Sequence, residues 1–245
     1  MNKIIHELEV KSSHCISRME YMLKYRGQSF GDISDGCPDE QRDQELDIPF
    51  TKKKGALGVW VEWFINMERG DNNSEADIGN IEVKTVSCNQ LKSGKLSLKE
   101  VLRISQVGYD TIQTTSFEES GLFKKSKMLI ILVSPNGKTG RDCKFLGFAT
   151  IDLTPHIDQI KQDYESIQNV VRNGELLHTG QNKQHGRTYI QTYNSGSGTN
   201  IKIYQDMHGN TVTTKGKDMR IFKQKMLELM ESSELNGDTA LITQF

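Results

Sequence analysis

The most informative part of the sequence is a twelve-residue stretch that reads Ser74-Glu75-Ala76-Asp77-Ile78-Gly79-Asn80-Ile81-Glu82-Val83-Lys84-Thr85. It contains an aspartate and, after four further residues, a Glu-x-Lys motif on a predicted short strand. Because successive side chains of a strand point to opposite faces, Glu82 and Lys84 share one face, and Ile81 and Val83 share the other. Asp77 lies just upstream, across a small Gly-Asn hinge that lets it bend back towards the polar face. The stretch therefore predicts a strand with one apolar face and one charged face.

A strongly apolar segment, residues 55–67, precedes this strand and is typical of a helix. Leu57, Val61 and Phe64 recur in it at helical spacing. Glu62 lies in the middle of the segment, where burial of an unpaired carboxylate is costly. Two interpretations stay open: Glu62 is a third carboxylate directed to the charged face of the strand, or it forms a buried ion pair with a lysine or arginine.

The rest of the chain predicts a mixture of helices and strands. Met128–Val133 is apolar on both faces, which indicates a central strand, and Lys144–Leu153 is its predicted partner. Further predicted elements are one or two helices over 2–25, an acidic loop over 31–48, a polar loop over 88–98, a helix from Thr154-Pro155 to Asn173-Gly174, β-like runs at 188–193 and 200–205, and a helix over Met219–Met230. Helices mixed with strands around one central sheet define an α/β fold.

Composition excludes several classes of protein. Hydrophobic residues make up 35% of the 245 residues and charged residues 26%, which is the balance of a water-soluble globular domain. No apolar run reaches the roughly 18–20 residues that a membrane-spanning helix needs. The N-terminus lacks the apolar segment of a signal peptide. The four cysteines, Cys15, Cys37, Cys88 and Cys143, are scattered and form neither a zinc motif nor a disulfide framework. We expect a reduced, cytoplasmic protein.

The charge distribution is uneven along the chain. The net charge of −1 argues against a nucleic-acid-binding protein. However, residues 32–47 carry seven acidic residues and one arginine, whereas 183–225 carry eight basic and two acidic residues. Phosphate contacts depend on a local basic surface rather than on the total charge. Charge alone therefore leaves both interpretations open.

The charged strand has the residue types that metal-dependent phosphodiester hydrolysis requires. Such a reaction needs a metal ion to neutralise developing charge and a water that is nucleophilic near neutral pH. Asp77, Glu82 and the backbone carbonyl of Val83 are candidate oxygen ligands for Mg²⁺, for which Mn²⁺ can substitute. Lys84 would lie near the attacking water and the scissile phosphate. The alternative is an ordinary ion pair on a solvated strand, because the motif alone is a weak signal.

Two motifs together resemble the MutH-like endonucleases, which are PD-(D/E)XK nucleases. They are Lys54-Gly55-x-Leu57-Gly58-Val59-x-Val61-Glu62, and Asp77 followed by Ile81-Glu82-Val83-Lys84-Thr85. The resemblance continues in Phe117-Glu118-Glu119-Ser120 with Lys124, Lys125 and Lys127, and in Asp163-Tyr164-Glu165 through Gly174-Glu175. It covers about residues 50–232.

The resemblance implies a fold and a domain organisation. The expected fold is α/β and restriction-endonuclease-like, with a mixed central sheet flanked by helices and two lobes that form a DNA cleft. One MutH-like endonuclease domain would span 1–245. Its parts would be an N-terminal helical arm over 1–50, a catalytic core over 51–175, a DNA-recognition lobe over 176–232 and a tail over 233–245.

The resemblance also implies roles for individual residues. Catalytic positions match Glu62, Asp77, Glu82 and Lys84, with metal ligands at Asp77, Glu82 and Val83. The gap between the aspartate and the Glu-x-Lys motif is shorter than is usual in the family, so Glu75 and Asp71 are alternative ligands. Lys54 and Lys125 match positions that contact DNA near the site. Apart from the resemblance, the basic and polar residues themselves add expected DNA contacts at Lys124, Arg187, Gln191, Tyr193, Lys215, Lys217 and Arg220. For Arg187, Gln191 and Tyr193 a plain hydrophilic hairpin is the competing interpretation.

The implied function is sequence-specific cleavage of double-stranded DNA with Mg²⁺ by a type II restriction endonuclease, at a short site such as GATC. The alternative is a mismatch-repair nicking endonuclease, and a further one is a DNA-binding protein that has lost catalysis. Because one active site makes one nick, cutting both strands requires a homodimer or sequential binding. We expect no membrane association and no nucleotide cofactor.

Overall fold

The structure of the chain is a computed structural model that describes residues 3–36, 56–66, 76–90, 96–99, 101–134, 140–177, 186–195 and 200–232. These residues form eight α-helices: α1 Lys3–Lys11, α2 Ser13–Lys24, α3 Phe30–Asp35, α4 Ala56–Asn66, α5 Tyr109–Ile112, α6 Gly121–Lys124, α7 Ile157–Arg172 and α8 Lys223–Leu229. They also form ten strands: β1 Ile81–Gln90, β2 Leu96–Leu98, β3 Arg103–Gln106, β4 Lys127–Val133, β5 Phe145–Asp152, β6 Ile190–Asn194, β7 Ile201–Gln205, β8 Thr211–Lys215, β9 Lys217–Ile221 and β10 Met230–Ser232.

The chain divides into two compact units. The first is drawn from residues 1–100, 127–152 and 230–245, and the second from 101–126 and 153–229.

The first unit is built on a mixed five-stranded sheet with the strand order β10-β5-β4-β1-β2. Strand β1 runs parallel to β4, with Glu82 opposite Met128, whereas the other neighbours are antiparallel. Strand β4 is central, and Met128–Val133 are all buried. The predicted central strand and the mixed α/β class are confirmed, and both are consistent with a restriction-endonuclease-like fold.

Helix α4 covers the apolar face of β1. Trp60 and Phe64 are buried in the same core as Ile81 and Val83, and their rings stack with centroids 4.9 Å apart. Burial of each such large side chain contributes roughly 1.5–3 kcal/mol. A Cβ added at Gly58 would lie 3.5 Å from Oγ1 of Thr85, so this helix packs closely on the strand. The helix predicted over 55–67 is confirmed over Ala56–Asn66.

The second unit contains an antiparallel sheet in the order β3-β9-β6 and a separate hairpin of β7 and β8. Its longest helix, α7, buries one side at Ile160, Tyr164, Ile167 and Val171. The helix ends as predicted, because Asn173 caps it and Gly174 takes a left-handed conformation at φ +71°.

Two predictions about the sheets are wrong. The described strands form three separate sheets rather than one. The predicted helix over Met219–Met230 begins only at Lys223, because Met219 and Ile221 belong to β9 and Met230 starts β10. The apolar residues of this segment satisfy both a helical and an alternating pattern, and pairing with β3 and β6 selects the strand.

Three local predictions also change. Residues 31–35 of the predicted acidic loop lie in α3, where Ser29 and Asp32 form a capping box. The predicted loop over 88–98 contains the end of β1 and all of β2. Residues Thr154–His156 form a 3-10 turn in which Thr154 caps no α-helix. Within the described residues, every helix is too short or too polar to cross a lipid bilayer.

Candidate functional site

A tight turn at the start of β1 brings Asp77 back onto the strand. Ile78 and Ile81 exchange two backbone hydrogen bonds, each with an N–O distance of 2.9 Å. Between them, Gly79 has φ +62°, a left-handed conformation that favours glycine. The hinge that the Gly-Asn pair predicts is therefore present as a two-residue turn.

The Asp77 carboxylate lies against the middle of the Glu-x-Lys motif. Its Oδ2 accepts a hydrogen bond of 2.7 Å from the backbone N–H of Val83, the residue between Glu82 and Lys84. In a strand, the N–H and C=O of one residue point to the same edge. The Val83 carbonyl therefore lies on the strand edge to which the Asp77 carboxylate is bound.

Glu82 and Lys84 lie on the face of β1 opposite to the buried Ile81 and Val83, as the alternation predicts. The Glu82 side chain is only 1% exposed, and its Oε1 forms an ion pair with Nζ of Lys84, whose side chain is 26% exposed. A carboxylate buried this deeply requires compensating charge or hydrogen bonds. This pair is therefore not an exposed pair on a solvated strand: the carboxylate is held inside while the lysine reaches towards solvent.

Asp77, Glu82 and Val83 offer oxygen atoms of the type that a hard divalent cation binds. Two carboxylates and a backbone carbonyl are the oxygen ligands that Mg²⁺ prefers. Among the described residues, no group of three or more His, Cys, Asp or Glu side chains is placed to hold a metal ion. Glu62 lies on α4 and is half-buried. Asp71 and Glu75, the alternatives to Asp77, lie outside the described residues, so the set of metal ligands stays a prediction.

In the second unit, a buried carboxylate of α7 organises the start of β6. Asp163 is 1% exposed and accepts hydrogen bonds from the backbone N–H groups of Thr188, Tyr189 and Ile190, the shortest being 2.6 Å. Burial raises the pKa of Asp163, although these three donors and the charge of Arg187 oppose the shift. Asp163 thereby fixes the backbone at the entrance to the predicted recognition strand.

Three of the predicted DNA-contacting side chains are buried inside this unit. Arg187 is 7% exposed, and burial lowers its pKa although Asp163 acts in the opposite direction. Gln191 donates a hydrogen bond of 3.1 Å to the carbonyl of Ile221. Lys217 is 6% exposed and donates to Oδ1 of Asn194 at 2.7 Å. To contact DNA, these side chains would have to leave their buried positions and give up the internal contacts that they make there.

One face of the β3-β9-β6 sheet presents a pair of arginines. Strand pairing places Arg103 and Gln191 on either side of Arg220. The carboxylate of Asp218, 1% exposed, lies 3.4 Å from Nε of Arg103 and 3.2 Å from Nη2 of Arg220. The guanidinium of Arg220 also lies over the ring of Tyr193, 5.1 Å from its centroid.

Sequence reasoning missed Arg103 and Asp218. Arg103 lies 115 positions before Asp218 in the chain, and only the pairing of β3 with β9 brings the two side chains together. The one local signal is the Asp218-x-Arg220 spacing, which places both side chains on one face of a strand.

The remaining predicted lysines lie in separate places. Lys124 ends α6, which Ser120 caps, and Lys125 follows directly; both are half-buried. Lys215 is exposed at the end of β8, and its backbone carbonyl accepts a hydrogen bond from the hydroxyl of Tyr109 at 2.8 Å. Lys54 lies outside the described residues.

Comparison with known families places part of the chain beside one family of DNA-processing enzymes. A mixed α/β fold with Asp77, Glu82 and Lys84 on one strand and its turn is consistent with a protein of the restriction-endonuclease-like class. The family model described as DNA mismatch repair enzyme MutH matches residues 68–168. The match confirms the resemblance to the MutH-like endonucleases, which are DNA endonucleases. No curated protein matches the chain. The matched segment includes Asp77, Glu82 and Lys84, and leaves out Glu62 and strands β6–β9.

Proposed function

We propose that the chain is a Mg²⁺-dependent, sequence-specific endonuclease that cleaves double-stranded DNA as a type II restriction enzyme. The observation that carries the proposal is the hydrogen bond between Asp77 and the Val83 N–H, because it holds the Asp77 carboxylate on the residue that lies between Glu82 and Lys84. A short recognition site such as GATC belongs to the same proposal.

The residues of this segment have separable roles in the proposed reaction. Asp77, Glu82 and the Val83 carbonyl would hold the metal ion. When bound, that ion supplies neutralisation of charge on the phosphate and a lower pKa for a bound water. Lys84 holds an ammonium group beside Glu82 that can stabilise negative charge on the scissile phosphate. Glu62 is proposed as a further catalytic carboxylate.

Basic and aromatic side chains support binding of duplex DNA. Arg220 over Tyr193, and the exposed Lys215, offer contacts to phosphates and bases. Arg103 adds a guanidinium that is half-exposed. Lys124 and Lys125 are also proposed to contact DNA, because they lie in a segment that resembles the family.

A decisive experiment compares supercoiled plasmid before and after incubation with the purified protein and Mg²⁺. Linear product from the wild-type protein alone supports restriction, and sequencing of its ends gives the site. Open-circle product supports a nicking endonuclease, which the name of the matched family favours as the second candidate. Specific DNA binding without any cleavage would support a catalytically inactive module.

Variants of Glu82 and Lys84 test the mechanism. Glu82→Gln keeps the volume of the buried side chain, and Lys84→Arg keeps a positive partner for the buried carboxylate, so both should fold. Each should lower the cleavage rate by about 10²–10³-fold with DNA affinity unchanged. Lys99→Ala, an exposed lysine after β2, is the matched control and should cleave normally. Full activity of Lys84→Arg and Lys84→Ala would contradict the assigned role.

A further inference from the structure

Helix α1 has an apolar face in the core and a charged edge near β1. Ile4, Ile5 and Leu8 are buried in the core that also contains Ile81 and Val83. On its polar side, Oε1 of Glu7 lies 3.0 Å from Nζ of Lys11, one helical turn further on.

This charged edge contacts both strands that form the centre of the sheet. Nζ of Lys11 donates a hydrogen bond of 2.6 Å to Oδ1 of Asn80, in the turn before β1. Oε2 of Glu7 accepts one of 2.6 Å from Nζ of Lys127, the first residue of β4. Lys127 is the direct pairing partner of Ile81, the first residue of β1. Glu7 and Lys11 therefore reach the two points from which the parallel pair of strands begins.

The Lys11 side chain lies across the turn itself. A Cβ added at Gly79 would be 3.0 Å from both Cδ and Nζ of Lys11. The glycine thus serves two purposes: it takes the left-handed conformation, and it leaves room for the lysine stem. The same turn places the Asp77 carboxylate on the Val83 N–H.

The charges of this cluster favour one another at neutral pH. The hydrogen bond from Lys127, followed by those from Lys11 and Asn80, lowers the pKa of Glu7 to about 2. Glu7 is therefore ionised over the whole range in which an enzyme would operate, and it holds both lysines in place.

We propose that Glu7 and Lys11 are positioning residues of the candidate catalytic strand: they hold the Gly79-Asn80 turn so that Asp77 stays on the Val83 N–H beside Glu82. The proposal rests on the proposed nuclease function for its catalytic consequence, but its structural part does not depend on that function. The N-terminal helix would then determine how well the metal ligands are arranged, without touching DNA or metal itself. The competing view is that α1 docks through its apolar face alone and that the charged edge is an inconsequential surface network.

Variants that remove the contact to the turn test the proposal. Lys11→Met keeps the side-chain stem and loses the ammonium, while Asn80→Leu loses the acceptor oxygen. Asn80→Asp keeps that oxygen for Lys11 but loses the amide that donates to Glu7, so it should restore the contact only in part. Lys24→Met, at an exposed lysine of α2, is the control for loss of one positive charge.

The first measurement is amide hydrogen exchange of the peptide that covers residues 76–84, followed by mass spectrometry. Lys11→Met and Asn80→Leu should speed amide exchange in this peptide by about two- to fivefold. Loss of one surface contact makes local opening of the turn more favourable by that factor. Lys24→Met should match the wild-type rate, and Asn80→Asp should lie between wild type and Asn80→Leu. The second measurement is the Mn²⁺ concentration that half-saturates binding, and the third is the Mg²⁺ concentration that half-saturates cleavage. Both should rise two- to fivefold for the first pair of variants, by the same reasoning, with DNA affinity unchanged.

The outcomes separate the two proposals. If Lys11→Met and Asn80→Leu leave both the exchange rate and Mn²⁺ binding at wild-type values, the positioning role is wrong. If the wild-type protein does not cleave DNA while the two variants still speed exchange and weaken Mn²⁺ binding, the nuclease function fails and the positioning role stands. Equal acceleration in Lys24→Met would reveal a general charge effect and would also overturn the proposal.

Discussion

Replacement of Asp163 by alanine is expected to uncouple helix α7 from strand β6. The carboxylate is buried and accepts hydrogen bonds from three consecutive backbone N–H groups, those of Thr188, Tyr189 and Ile190. Alanine supplies no acceptor, so the first residues of the predicted recognition strand lose their anchor. Arg187 loses its neighbouring negative charge at the same time.

The size of the effect follows from these contacts. A hydrogen bond to a charged group contributes about 1.5–3 kcal/mol, so three of them give a gross contribution of roughly 5–9 kcal/mol. Burial of the carboxylate, which raises the pKa of Asp163, offsets part of this. Removal of one partner from a buried ionic network typically costs about 3–5 kcal/mol, and we expect about 3 kcal/mol in the free energy of unfolding. For a protein of this length, that corresponds to a Tm lowered by roughly 6–12 °C.

Thermal unfolding followed by circular dichroism measures the change, and hydrogen exchange of the peptide over 186–194 locates it. Glu165→Gln is the matched control, because Glu165 lies two residues further along α7 and is exposed. Its Tm should differ from the wild-type value by no more than about 2 °C, as for an ordinary surface substitution. A Tm for Asp163→Ala within that margin would refute the reasoning that this carboxylate anchors the strand.

Other perturbations give further expected outcomes. Arg103→Ala should weaken DNA binding and reduce the slope of log K against log salt by about 1, which a fluorescence-anisotropy titration at several salt concentrations measures; an unchanged slope would exclude a phosphate contact. Asp218→Asn removes the carboxylate between Arg103 and Arg220 and should cost about 2 kcal/mol in urea unfolding, less than for a fully buried pair because Arg103 reaches solvent. The lowered pKa of Glu7 contributes stability that is present above its ordinary value near 4.5 and is lost as the pH falls towards 2, so the Tm difference between wild type and Glu7→Gln should shrink on acidification over that range. Gly79→Ala forces a left-handed alanine and should lower the free energy of unfolding by about 1–2 kcal/mol, with Gly209→Ala, at a left-handed glycine of the second unit, as a comparison.

Local periodicity accounts for most of what could be predicted about the fold. The alternation of Ile81, Glu82, Val83 and Lys84 places the first and third in the core and the second and fourth together, as the structure has them. The continuous apolar run of β4 required two covered faces, and the strand is central. In each case the pattern lies within a few consecutive residues, so it predicts the element without knowledge of distant contacts.

Predictions failed where an element depends on partners far away in the chain. The last three residues of β9, from Met219 to Ile221, were predicted as the start of a helix, because Met219 fits either period until β3 and β6 pair with this strand. The DNA contact of Gln191 stays a prediction, and nothing in the sequence indicated that its amide donates a hydrogen bond to the carbonyl of Ile221. The residue type determines which hydrogen bonds a side chain can form, whereas its burial and its neighbours determine which partners are available to it.

The sequence by itself determined the chemistry of the candidate centre. It specified an aspartate, a Glu-x-Lys strand and the small turn that joins them, because side-chain alternation and glycine conformation are local properties. Only the tertiary structure decided that Asp77 bonds to the Val83 N–H, that Lys11 crosses the turn, and that Asp218 lies between Arg103 and Arg220. Most of these contacts join residues distant in the chain, and they form only when burial of the apolar faces of helices and sheets brings those segments together.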